Sequence, residues 1–140
     1  MRSRVLAAVF GGVFALLSAS APAHASTDQH FSVGSPFATL NGTIRWVDHT
    51  RFTIPNATLK DTNCSDGKQV YWFIRWNVGW VQEGRGSYRW VDSCASQTWY
   101  DVHLSQNWIH HVEFWVCRDD WGVDACSSRK YINPYRPDDA

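Results

Sequence analysis

From Gln69 to Val78 the side chains alternate: Val70, Trp72, Ile74, Trp76 and Val78 fall on one side, and Gln69, Tyr71, Phe73, Arg75 and Asn77 on the other. A period of two is the signature of a β-strand. A second long strand is predicted from Trp108 to Arg118, gathering Val112, Phe114 and Val116 on one face. Shorter runs repeat the pattern. Ile44 and Trp46 alternate with Thr43, Arg45 and Val47, and Phe52 and Ile54 flank Thr53 until Pro55-Asn56 closes the run ahead of Ala57 to Lys60. Tyr100, Val102 and Leu104 alternate with Trp99, Asp101 and His103. Turn chemistry divides these segments: Ser65-Asp66-Gly67-Lys68 precedes the first long strand, and Glu83-Gly84-Arg85-Gly86-Ser87 reads as a flexible hairpin tip. Asn133-Pro134 and Pro137 mark an irregular tail. Many short strands at this spacing predict an all-β fold, a small antiparallel β-sandwich of immunoglobulin-like or jelly-roll-like kind over residues 42–140.

The N-terminal end breaks the pattern. Arg2 and Arg4 precede an apolar run from Val5 to Leu17, and Ala23-His24-Ala25 supplies a small-x-small processing site, so residues 1–25 read as a secretory signal peptide. The run is too short for a membrane anchor, which needs about 20 apolar residues to cross about 30 Å of hydrocarbon. No later stretch is apolar for that length, so the mature chain is expected to carry no membrane span. Residues 26–41 mix small polar residues with Phe31, Val33 and Phe37, and read as an extended N-terminal arm whose isolated apolar residues dock in a partner.

Export changes the meaning of the four cysteines, Cys64, Cys94, Cys117 and Cys126, because disulfides persist outside the cytoplasm. Three connectivities are open, and nearest-neighbour pairing favours Cys64–Cys94 with Cys117–Cys126. No paired C-x-x-C spacing suggests zinc. Arg2 and Arg4 leave with the signal, so 13 basic residues fall to 11 against 13 acidic ones. A nearly neutral surface offers no field for nucleic acid. Glu occurs only at 83 and 113 and Lys only at 60, 68 and 130, so helix-forming charged residues are scarce.

Candidate chemistry centres on the aromatic residues. Of nine tryptophans, Trp46, Trp72 and Trp76 sit at inward parity and read as core. Trp80, Tyr88 and Trp90 flank the glycine-rich connection and Trp121 lies in a loop, which makes these four a candidate surface aromatic site. The loop from Cys117 to Cys126 holds Asp119, Asp120 and Asp124, but lacks the spacing and closing Glu of an EF-hand. His110-His111 has the look of a metal pair, yet adjacent strand residues point to opposite faces. The chain has no Gly-x-Ser-x-Gly, no His-Glu-x-x-His and no phosphate-binding glycine loop. The reading is therefore non-enzymatic, with no catalytic residue, metal or cofactor.

One set of residues carries a family likeness: Thr43-Ile44-Arg45-Trp46-x-Asp48, Leu59-Lys60-Asp61-x-x-Cys64 and Val70-Tyr71, followed by Val116-Cys117-Arg118-Asp119-Asp120, Cys126 after an eight-residue interval, and Asn133-Pro134-Tyr135. The pattern resembles the small secreted two-disulfide adaptor proteins of umbrella toxin particles. That resemblance implies a β-sandwich joining a lectin-like subunit to a toxin-bearing stalk, with an N-terminal strap in the partner's groove. Residues 26–41 match the strap by position alone.

Three functions are compatible with these features. The first is an extracellular adaptor or protein-binding module that uses its arm. The second is a carbohydrate-binding module using the exposed rings, and the third is a secreted protease inhibitor or small toxin presenting the disulfide loop.

Overall fold

A computed structural model describes residues 26–78, 82–106 and 108–135. Among these residues the regular structure is all strand: β1 (Thr27–Gly34), β2 (Ala38–Trp46), β3 (Arg51–Asp61), β4 (Val70–Val78), β5 (Gln82–Arg85), β6 (Arg89–Val91), β7 (Ser96–Ser105), β8 (His111–Arg118) and β9 (Ala125–Ile132). They form two antiparallel sheets. The first has the order β1-β2-β3-β7; the second has the order β5-β4-β8-β9, with β6 also paired to β4. No helix among the described residues is long and apolar enough to cross a membrane.

Side-chain parity packs the sheets face to face. Leu40, Ile44 and Trp46 of β2 and Phe52 and Ile54 of β3 meet Trp72 and Ile74 of β4 and Val112, Phe114 and Val116 of β8 in one core. Trp46 and Trp72 are fully buried, and Trp76 packs partly buried against the same core. Aromatic rings supply much of the contact: Phe31 stacks on Phe114 at 4.0 Å between centroids, and Trp99 meets Trp72 edge-on at 5.7 Å.

The N-terminal segment is extended, as expected, but it is not a free arm. Residues 27–34 are the edge strand of the first sheet, in register with β2 from Thr27↔Trp46 to Gly34↔Thr39. Phe31, Val33 and Phe37 are 3%, 3% and 6% exposed, so these intended anchors fill the chain's own core. Their alternation at positions 31 and 33 is the inward parity of a strand, obscured in the sequence by polar neighbours. Tyr131 of β9 closes the seam, its hydroxyl accepting from the Ser32 amide at 3.0 Å.

Four local expectations change. Pro55 does not end a strand: β3 runs through it, and the β2–β3 register shifts there, as in a bulge. Across from Pro55, Asp101 has φ 53°, and the parity of β7 flips around it. Trp99, Val102 and Leu104 therefore pack against the core, while Tyr100 is 71% exposed. The glycine-rich stretch is no hairpin tip, since Gln82–Arg85 pairs with the end of β4 and Arg89–Val91 with its beginning. The Gly86 amide donates to the Ile74 carbonyl at 2.8 Å, so β5 and β6 act as one interrupted edge strand. The strand expected from Trp108 begins at His111, because Ile109 and His110 turn back onto His49 and Asn77.

Both disulfides follow the nearest-neighbour pairing, Cys64–Cys94 and Cys117–Cys126. The first ties the β3–β4 crossover to the β6–β7 crossover. Beside it, the buried Asp61 carboxylate accepts from the Asn63 and Cys94 amides at 2.8 and 2.9 Å. The second joins opposed residues of β8 and β9. Paired cysteines of this sort suit an oxidising, extracellular setting.

Candidate binding face

β4 is apolar at both parities from Val70 to Ile74, and all five residues are buried. Val70, Trp72 and Ile74 enter the core, whereas Tyr71 and Phe73 form a second apolar cluster with Cys117 and Trp115 on the outer face of the second sheet. Cross-strand register builds that face. Tyr71 stands between Trp90 and Cys117, Phe73 faces Trp115, and Arg75 stands between Arg85 and Glu113. The break between β5 and β6 lets Tyr88 swing over β4, where its ring meets Phe73 at 5.2 Å and Tyr71 at 5.3 Å, both edge-on. Trp90 lies 4.3 Å from Tyr71, and Trp115 stacks on Phe73 at 5.9 Å.

Cations lie over these rings. The Arg85 guanidinium is 4.1 Å from the Phe73 centroid and 4.5 Å from that of Tyr88, and Arg75 is 4.8 Å from Trp115. The outcome is a layer of five rings and two guanidiniums in which Tyr88 and Trp90 remain 43% exposed. Burial first, then the hydrogen bond to Asp124, pushes the Tyr71 hydroxyl well above the ordinary tyrosine range, so it stays a donor.

That bond anchors the loop between Cys117 and Cys126 to one end of the face. Within the loop, Asp120 accepts from Arg118 and Lys68, and these cations hold its carboxyl below the usual carboxylate range. The carboxylates considered for calcium are thus engaged by the chain itself at Asp120 and Asp124. Trp121 and Val123 project from the loop tip with 101% and 88% exposure.

The four predicted surface aromatics separate accordingly. Tyr88 and Trp90 come together on the ring layer, 6.4 Å apart. Trp121 is exposed on the adjoining loop, and Trp80 lies outside the described residues. The sequence reading missed Tyr71, Phe73, Trp115, Arg75 and Arg85; the available signal was the unbroken apolar run at 70–74, which marks a strand covered on both faces.

Family models, curated proteins and solved structures yield no match to the chain. The residues that carry the umbrella-adaptor likeness have structural work here. Asp48 closes the β2–β3 turn by accepting from the Thr50 amide at 2.7 Å and from Arg51 at 2.7 Å, and Asp61 clamps the crossovers. Asn133, fully buried, donates to the carbonyls of Asp48 and Ile109 at 3.1 and 2.9 Å. His110 and His111 converge, with Nδ1 atoms 3.2 Å apart, because His110 precedes the strand and escapes its alternation. Among the described residues, no three His, Cys, Asp or Glu side chains gather as a metal-ligand set.

Proposed function

We propose that this chain is a secreted, non-enzymatic protein-binding module, an adaptor in an extracellular complex, and that it engages its partner through the outer face of the second sheet. The observation that carries this reading is the ring-and-arginine layer, with Tyr88 and Trp90 half-open to solvent above Tyr71 and Phe73. A solvated sheet face ordinarily carries polar residues. Tryptophan, tyrosine and arginine are the residues that dominate protein–protein binding energy, and rings already pinned in place lose little entropy on docking. The core position of Phe31, Val33 and Phe37 moves the proposed contact from the N-terminal segment to this face. The finer role implied by the resemblance, linking a lectin-like subunit to a toxin-bearing stalk, belongs to the same proposal.

The test is co-purification of the tagged, exported protein from its own culture supernatant beside a Tyr88→Ala/Trp90→Ala variant. Loss of the co-purified protein from the variant, with an unchanged unfolding midpoint, is expected; equal recovery from both overturns the reading. The exposed ring pair also favours one alternative, a carbohydrate-binding face that stacks sugar rings on Tyr88 and Trp90. Titrating the protein with a polysaccharide panel while following tryptophan fluorescence separates the two, since the adaptor reading expects no change.

A further inference from the structure

We infer that Arg75 and Arg85 form a carboxylate-binding site, and that the partner presents an acidic peptide segment to it; the inference rests on the protein-binding reading of this face. The two residues are opposed across β4 and β5, which places their Cβ atoms about 5 Å apart on one side of the sheet. Both guanidiniums converge on Phe73, Arg85 at 4.1 Å and Arg75 at 5.9 Å from the ring centroid. No carboxylate among the described side chains lies within ion-pair distance of either, whereas Arg45, Arg51 and Arg118 each hold one.

The carboxylate best placed to neutralise Arg75 is committed elsewhere. Glu113 stands directly opposite on β8, but one of its oxygens accepts from Trp115 Nε1 and the other from Ser128 Oγ, both at 2.8 Å. Like charges facing each other across strands cost stability, and here the rings beneath hold them in place. A guanidinium held over a ring keeps all its N–H donors, and two of them can grip a carboxylate with paired hydrogen bonds.

Surrounding chemistry selects the type of anion. Tyr88 and Trp90 border the arginines, so a ligand offering carboxylates beside apolar side chains matches the whole face. A polyanion lacks those apolar groups and needs a broad positive field. Once residues 1–25 are removed, 11 basic residues against 13 acidic ones provide none.

The experiment is isothermal titration of the exported protein with a synthetic peptide of alternating Glu and Tyr, its Gln–Tyr counterpart, and heparin. The Glu peptide is expected to bind about tenfold tighter than the Gln peptide, the increment of a charge-assisted pair. The preference is expected to vanish in Arg75→Gln/Arg85→Gln and to be partly kept in Arg85→Lys. Near-UV circular dichroism checks that the variants retain the native ring packing. Equal affinities for the two peptides, no binding of the Glu peptide at about 1 mM, survival of the preference in the double variant, or tighter binding of heparin overturns the inference. If Tyr88→Ala/Trp90→Ala loses the co-purified partner while Arg75→Gln/Arg85→Gln keeps it, the protein-binding reading stands and the carboxylate site falls.

Discussion

Asp48 shows how much one turn residue does. Partial burial alone raises its pKa, but hydrogen bonds from the Thr50 hydroxyl, Arg51 and the Thr50 amide outweigh burial and bring it to about 2, against an ordinary 3.8. Because the folded value lies below the unfolded one, the stabilisation is complete above about pH 4 and is lost as the pH falls through about 2. Asp48→Asn is expected to cost about 1–2 kcal/mol at neutral pH and to come within about 0.5 kcal/mol of the wild type near pH 2. Urea unfolding at the two pH values measures this; a constant gap between the proteins would contradict it. Gly42 is a second critical position. A Cβ there would lie 2.5 Å from Phe31 Cζ and 2.4 Å from the Asn56 carbonyl oxygen. Gly42→Ala is expected to destabilise by about 1–3 kcal/mol, read as a lower urea midpoint, since one neighbour is backbone and the other a ring stacked on Phe114. The Asp48-x-Thr50 turn is visible in the sequence. The demand for glycine at 42 is not, because it arises from a ring on another strand.

At the scale of elements, β1 is where pattern and packing diverge. Phe31 stacks on Phe114 and meets Tyr131 edge-on, so Phe31→Ala is expected to cost about 3–5 kcal/mol. Thermal unfolding decides the matter: an unchanged midpoint would restore the picture of a free arm. The two disulfides should also differ. Cys64–Cys94 spans 30 positions and Cys117–Cys126 spans 9. On the chain-entropy model their removal costs roughly 4 and roughly 3 kcal/mol, so the Cys64→Ala/Cys94→Ala variant is expected to unfold at lower denaturant. The alternation of β2 and β8 and the long apolar run of β4 were legible in the sequence. The continuation of β3 past Pro55 and the inversion at Asp101 were not, since a bulge shifts side-chain parity without leaving a composition signal.

Across the whole molecule, protection should follow layering. β2, β3, β4 and β8 lie inside their sheets, while β5 and β6 form a broken edge. Amide hydrogen exchange is expected to be slowest in the interior strands and fastest in β5 and β6. Equal protection at Arg85 and Val116 would mean that the edge is held by more than its pairing with β4.

The sequence by itself determined that the chain is β and that its large residues alternate into a core; for the cysteines it favoured neighbour pairing among three open connectivities, and the structure selected it. Period, turn chemistry and spacing are local properties and can be read along the chain. Tertiary structure alone decided that Phe31, Val33 and Phe37 face inward. It also set Tyr88, Trp90, Arg75 and Arg85 on one surface. Which side of a strand is covered, and by what, depends on residues tens of positions away.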